Sequence, residues 1–508
     1  MLSSVSGAMA ENAPVLSVLR ELHHDVSPRL RDMRPVPPPK IGMREAEPVR
    51  PIPVHLPPKD QRADGAAQRQ APARLNTIDL LNFAGVGTGD YGFTPPGAPS
   101  DTNGAAGATQ YVQWANDSFM VFDKITGAKV LGPLTGKTLW QGFGGACETH
   151  NDGDIIAQYD KIASRWVMAQ FSIKVTPYLE CVAVSQTSDA TGAWNRYAFD
   201  YGDVDFPDYP KIGVWPDAYY ATYNIFHGKF FRGAKLCAWD RNAMLAGASA
   251  TQQCYQLSST YGGVLPADLD GATPPPAGAP NYLLNFGANK LNLWKFHADF
   301  ANPANTTLTG PAALAVASFS PACNAGTCLP QKGTTQQLDS IADRLMYRLA
   351  YRNFGDHESL VVNHSIASTG RAGVRWYELR NPCGAPIVFQ QGTYVPGKTL
   401  WYWMGSAAMD KLGDLAIGFS TTSPEDFPSI GYAGRLAGDR PGTLRKHALT
   451  FKGHGSQING LSRWGDYSAM SIDPVDDCTF YFTTEYLKAN GAFNWSTRIN
   501  SFRFPGCQ

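Results

Sequence analysis

A strand–turn–strand unit recurs seven times in this chain, and internal repetition of this kind fixes architecture before any single motif does. The second strand of each unit reads YVQWAND (111–117), WVMAQFS (166–172), AYYATYN (218–224), NYLLNFG (281–287), ESLVVNH (358–364), DLAIGFS (414–420) and TFYFTTE (479–485). A repeat of roughly 50 to 75 residues, all strand and turn, predicts propeller blades of four strands each. The expectation is an all-β chain forming a single seven-bladed β-propeller, with six blades as the alternative. Such a fold gathers the starts of its innermost strands around a central channel.

Composition agrees with short strands and turns. Aromatics are 12% of the 508 residues and charged residues 17%, with 50 Gly and 37 Pro, a balance that disfavours long helices. Lys plus Arg and Asp plus Glu are both 43, so the chain lacks the electrostatic footprint of a nucleic-acid binder. No run of about 18 apolar residues is present, so no transmembrane segment is expected.

Residues 1–75 differ from the rest. VLSVLRELHHDV (15–26) predicts a short amphipathic helix, and RPVPPPKIGMREAEPVRPIPVHLPPK (34–59) is too proline-rich for helix or central sheet. This N-terminal extension reads as a linker, a pro-segment or a strap along the propeller. Residues 76–508 read as the propeller domain. NTIDLLNFAGVG (76–87) is a strand ahead of the first repeat and STRINSFRF (496–504) one after the last. Their pairing would close the ring and remove two exposed edges.

Nine cysteines occur without a CxxC or a Cys/His zinc pattern. Cys147 could bridge Cys181, Cys237 could bridge Cys254, and Cys478 could bridge Cys507, leaving Cys383 alone; Cys323–Cys328 and at least two other pairs are expected to be oxidised, although sequence cannot fix connectivity. Disulfides imply a secreted or cell-surface protein; MLSSVSGAMA at the start is not an evident signal peptide.

Chemistry concentrates where each inner strand should begin. Asp101 and Asn103 stand in the first unit, His150, Asp152 and Asp154 in the second, Asp208 and Lys211 in the third. Asp268 and Asp270 follow in the fourth, Asp339, Asp343, Arg344 and Arg348 in the fifth, Ser406 in the sixth, and Arg463, Asp466 and Ser468 in the seventh. Any one Asp here makes a tight turn, but recurrence in most units predicts carboxylates crowded at one mouth. Crowded carboxylates need Arg, protons or a cation, and an all-oxygen set favours calcium. Asp101 and Asp154 are the candidate metal ligands. Asp152, Asp208, Arg344, Arg463 and Asp466 are the candidate catalytic groups, and Asp101, Asp152, Asp208 and Asp466 are expected to converge. Arg344, Arg348 and Arg352, four apart, share a face on a strand and could clamp a carboxylate or pair with the Asp ring. Trp403 and Trp464, with Arg348 and Lys211, are the candidate substrate contacts, the indoles stacking on sugar rings. HNDGD lacks the spacing and terminal Glu of an EF-hand, and no G-x-S-x-G, HExxH or P-loop is present.

TSDATGAW (187–194) resembles a degenerate Asp box, the hairpin turn of sialidase-type propellers, with Thr187, Asp189 and Trp194 in place, Gly192 displaced and Ala193 for threonine. SDTNGAAGATQYVQWANDSF, NDGDIIAQYDKIASRW and SRWGDYSAMSIDPVDDCTFYFTTEY look like bacterial exported proteins of that superfamily. The resemblance implies a propeller over roughly 95–507. It also implies an arginine triad that Arg344, Arg463 and Arg498 could imitate, and a Tyr/Glu pair at Glu485–Tyr486. Two functions follow as expectations: a monomeric glycoside hydrolase or polysaccharide lyase working on a polysaccharide at the channel mouth, or a non-catalytic binding propeller with a structural cation.

Overall fold

The computed structural model describes residues 14–36, 44–53 and 64–508. Seven inner strands, Asn103–Ala106, Ile156–Asp160, Asp205–Val214, Leu265–Asp270, Met346–Asn353, Trp401–Met409 and Ala469–Ile472, each begin an antiparallel sheet. Each inner strand adjoins the next, and the seventh returns to the first. The chain is therefore a seven-bladed propeller, and all seven repeated segments are the second strands of their blades. The inner strands of blades 4 and 5 also pair directly and in parallel, Ala267 opposite Leu349 through Asp270 opposite Arg352.

The ring closes through the strand before the first repeat. Ile78–Gly87 lies antiparallel to Trp495–Arg503 and becomes the outer strand of blade 7. Blades pack face against face, so strands are buried on both sides. Large rings fill the spaces between sheets, as where Phe199 of blade 2 stacks on Trp239 of blade 3 at 5.6 Å. Near the axis there is no room even for a methyl group. A Cβ on Gly213 would lie 2.3 Å from the carbonyl oxygen of Ala267 in the next blade.

The segment expected to be helical is two strands. Leu16–Arg20 adds to the outer strand of blade 3 and His23–Val26 to that of blade 2. The amphipathic pattern loses because two open sheet edges offer backbone partners that a surface helix would leave unused. Side chains fasten the strap: Asp25 takes two hydrogen bonds from the buried Arg196 at 2.6 and 2.8 Å, and Arg31 reaches Asp189 at 2.8 Å. Further on, Glu45–Ala46 pairs with Gly97–Ala98, and Ala67–Gln68 extends blade 5. Asp64 meets the fully buried Arg375 at 2.6 Å.

All four candidate disulfides are formed, Cys147–Cys181, Cys237–Cys254, Cys323–Cys328 and Cys478–Cys507, and Cys383 is free and exposed. Four bridges point to an extracellular setting. Among the described residues no helix is long and apolar enough to cross a membrane.

Candidate functional site at the hub

A backbone device repeats around the channel mouth. Asp101, Asp154, Tyr209, Gly263, Met404 and Asp466 all have positive φ, +44, +45, +59, +59, +53 and +59°. Each lies at or just before the regular part of an inner strand, so six blades turn into the channel the same way. Left-handed conformations are costly for bulky residues and cluster at sites that the surroundings over-determine. Asp tolerates this region better than most residues, which accounts for part of the Asp recurrence. Tyr209 and Met404 show that the turn does not require Asp.

The carboxylates at Asp101 and Asp154 meet a third that sequence reasoning did not place there. Glu47, on the strap, reaches into the mouth, and one ligand atom from each of Glu47, Asp101 and Asp154 lies within 4.8 Å of the others. The strap is held there by Glu47 N donating to Ala98 O at 2.8 Å and Arg463 Nε donating to Glu47 O at 2.7 Å. Beyond it, Arg344 donates to Arg50 O at 3.0 Å and Ile52 N donates to Asp343 at 2.9 Å. Asp101 is fully buried and neither of its carboxylate oxygens has a hydrogen-bond partner. This buried acidic triad could hold a metal ion.

Electrostatics mark the same place. Burial first, then Asp154 and Asp466, pushes the Glu47 carboxyl well above the usual range, with Arg463 opposing. Burial and the Glu47 charge do the same to Asp101. Burial raises Asp154 to about 6 against the pull of Lys211, and raises Asp208 to about 7, helped by Asp154 and opposed by Arg344 and Arg50. The surrounding cations are largely engaged. Arg463 holds Asp466 at 2.7 and 2.5 Å and Asp339 at 2.7 Å. Arg344 holds Asp343 at 2.7 Å. Lys211 sits between the rings of Tyr209 and Tyr467, at 3.1 and 3.5 Å, and burial lowers its pKa well below the ordinary value. The crevice beside Tyr209 and Lys211 is too tight for a water molecule.

Deeper in the channel three carboxylates, Asp268, Asp270 and Asp477, are matched by cations. Arg348 spans Asp268 at 2.7 Å and Asp270 at 2.6 Å, Lys161 adds to Asp270 at 3.0 Å, and Arg352 takes Asp477 at 2.6 Å. Burial alone would raise Asp270, but Arg348 and Lys161 outweigh it and hold its carboxyl far below the usual range.

Several expected placements change. Asp152 does not join the mouth: its Oδ2 accepts from Ile173 N at 2.8 Å and Lys174 N at 3.1 Å, capping a loop. Its neighbour two residues on, Asp154, faces the channel instead. Arg348 is consumed by two carboxylates and lies below the mouth, so it is no free substrate clamp. Trp403 and Trp464 are fully buried against each other with ring centroids 5.8 Å apart, and present no face to a sugar. The implied arginine triad does not assemble, because Arg498 is on the third strand of blade 7, bonded to Asn82. Glu485 is buried and accepts from Ser100 N at 3.2 Å, while Arg344, Arg463, Asp208, Lys211 and Asp466 do gather at the mouth. Glu47 could have been suspected only as an acid within a proline-rich strap, a weak signal.

The Asp-box-like turn is structural. Asp189 accepts from Thr191 N and Oγ1 at 2.9 and 2.8 Å, and Trp194 Nε1 donates to Ala190 O at 3.1 Å.

No family model and no curated relative matches the chain. Among solved structures it is similar to a polysaccharide lyase of family PL25, an ulvan lyase, at 11% identity and TM-score 0.36, covering 82% of this chain and 97% of that one. It is also similar to the α-L-arabinanase of Penicillium chrysogenum, at 10% identity and TM-score 0.35 over 69% of this chain and 98% of that one. The WD40 domain of SCAP from fission yeast matches at 7% identity and TM-score 0.32, over 78% and 82% of the two chains. At these scores the likeness carries no argument, and the propeller rests on the chain's own strand pairing.

Proposed function

We propose that this protein is an exported binding propeller for a carbohydrate or protein ligand, with a divalent cation fastening the N-terminal strap across its hub. The single observation that supports it is the meeting of strap Glu47 with Asp101 and Asp154, where Asp101 has no other partner for either oxygen. Three converging carboxylates form a hard, all-oxygen donor set, which suits calcium better than a transition metal. A site so covered favours a structural role over turnover. Calcium should raise the melting temperature by mass action, and a chelator should lower it. Equilibrium dialysis finding no bound calcium, magnesium or manganese in the full-length protein, with no thermal shift, would sink this reading.

One arrangement favours a second reading, glycan cleavage. Asp208, Asp466, Arg344, Arg463 and Lys211 gather beneath the strap. Paired acids serve glycoside hydrolysis, and an acid–base group beside Arg or a cation serves elimination from a uronate. Substrate would need residues 44–53 to leave. A polysaccharide screen run with calcium and with chelator separates the two: new reducing ends or unsaturated products support cleavage, and binding without product in both conditions supports the first reading.

A further inference from the structure

A second cavity lies away from the hub. Between blades 5 and 6 opens a cavity of about 490 Å3, within the usual range for small-molecule sites. One wall is the strap at Arg69 and Gln70. A second is the connection from blade 5 to blade 6 around Thr399 and Leu400, with Tyr402 behind it. The third is Lys446–His447, just before the outer strand of blade 6.

These walls are tied to one another. Gly397 N donates to Arg69 O at 3.2 Å, and Lys446 N donates to Pro72 O at 3.0 Å. Gln68 bonds both backbone groups of Leu444, at 2.8 and 2.5 Å. Arg371 fixes the connecting loop by donating to the carbonyls of Val395 at 3.2 Å and Gly397 at 2.8 Å, and to that of Leu400. The cavity is thus preformed, which lowers the entropic cost of binding.

Its charge is one-sided. No carboxylate lines it, whereas Arg69 and Lys446 both do. Both are exposed, and neither side chain has an ion-pair partner among the described residues. The hollow also exceeds a bare oxyanion several-fold, since a water molecule claims only about 30 Å3 of liquid. Leu400 and Ala71 offer apolar surface over the buried Tyr402, and Thr399 and Gln70 offer hydroxyl and amide groups. Apolar faces and hydroxyls beside an anionic group describe a sugar acid.

We infer that this cavity binds a carboxylate- or sulfate-bearing ring of an acidic saccharide, with Arg69 and Lys446 meeting the anion. The inference rests on the binding-propeller reading and names its ligand class and location. Titration calorimetry on the full-length protein, in calcium, would use an oligogalacturonate, a sulfated disaccharide, the matching neutral oligosaccharide and inorganic sulfate. At least one acidic saccharide should bind, with the neutral one and free sulfate at least tenfold weaker. Arg69→Glu/Lys446→Glu should weaken acidic-saccharide binding at least tenfold while leaving any calcium-induced melting shift unchanged, which also shows that the variant is folded. Equal binding of the neutral saccharide, equal binding of free sulfate, no binding of either acidic probe, or indifference to the double reversal would each overturn the inference. The hub reading fails separately, through loss of the calcium shift in the unaltered protein.

Discussion

The two ends of the channel hold similar residue types and treat them in opposite ways. Deep in the channel, Asp268, Asp270 and Asp477 each face a guanidinium at 2.7 Å or less. At the mouth, Glu47, Asp101 and Asp154 face one another, while Arg463 is spent on Asp466 and Asp339. The consequence is visible in proton affinity: Asp270 is held well below the ordinary range, and Asp154 is pushed up to about 6. A buried charge whose partner is in the chain is part of the framework. A buried charge whose partner is missing from the chain marks a place for something else, whether a proton or an ion.

Breaking the matched end should have the largest effect. Arg348→Ala would leave Asp268 in the interior without its cation and Asp270 with Lys161 alone, and losing one partner of a buried pair costs about 3–5 kcal/mol. Denaturant unfolding of the variant should show that loss with or without calcium. A loss under about 1 kcal/mol would mean that the lower tier is not the framework its geometry implies.

The mouth should respond in the other direction. Asp101→Asn replaces an unpartnered buried carboxyl beside Glu47, so the variant in chelator should be at least as stable as the unaltered protein. In calcium it should lack the stabilisation that a bound ion gives, about 2.7 kcal/mol at a hundredfold excess over Kd. Calcium titrations followed by melting temperature would show it. A variant that keeps the full calcium shift removes Asp101 from the ligand set.

How much of this contrast could be read from the sequence depends on the residue. The blades were legible because both faces of every second strand are buried and the repeat renews the same alternation, from Tyr111 to Phe482. Ring closure was legible from Ile78–Gly87 because an unpaired strand before the first repeat needs an edge. The Asp positions were legible as a ring, but not which Asp faces inward. HNDGD contains Asp152 and Asp154, and the positive φ at Asp154 and Gly153 sends two carboxylates two residues apart to different tasks. Trp403 and Trp464 misled because a propeller buries its large rings between blades, where their area stabilises most. Glu47 and the two strap strands were hidden because their partners lie far along the chain, and strand pairing on an outer edge depends on which edge is open.

A smaller effect tests the shoulder of the mouth. Burial pushes Glu485 up to about 8, with Ser100 partly opposing through hydrogen bonds. A raised carboxyl binds its proton more tightly when folded than when unfolded. Its contribution to stability is therefore fully present below the unfolded value near 4.5 and is lost as pH rises toward 8. Glu485→Gln should flatten that part of the stability curve, by up to about 1.4 kcal/mol per pH unit. Melting curves between pH 5 and 8, taken in chelator, should show the unaltered protein weakening more steeply than the variant, and parallel curves would refute the assignment.

The smallest expected effect is the sharpest discriminator, because it compares two aspartates of one loop. Asp152 uses Oδ2 to cap Ile173 N and Lys174 N, with His150 and Lys174 side chains nearby at 3.9 and 3.8 Å. Asn at this position keeps an acceptor oxygen for the same amides and loses only the charge. A cost of about 1 kcal/mol or less follows, since the charge-assisted part of a hydrogen bond is a fraction of the whole. The calcium shift should be unchanged. Asp154→Asn removes a donor from the triad and should abolish most of the shift. If Asp152→Asn removes it instead, or both variants remove it equally, the inward-facing residue has been misassigned and the contrast between a paired framework and an open mouth fails at its most specific point.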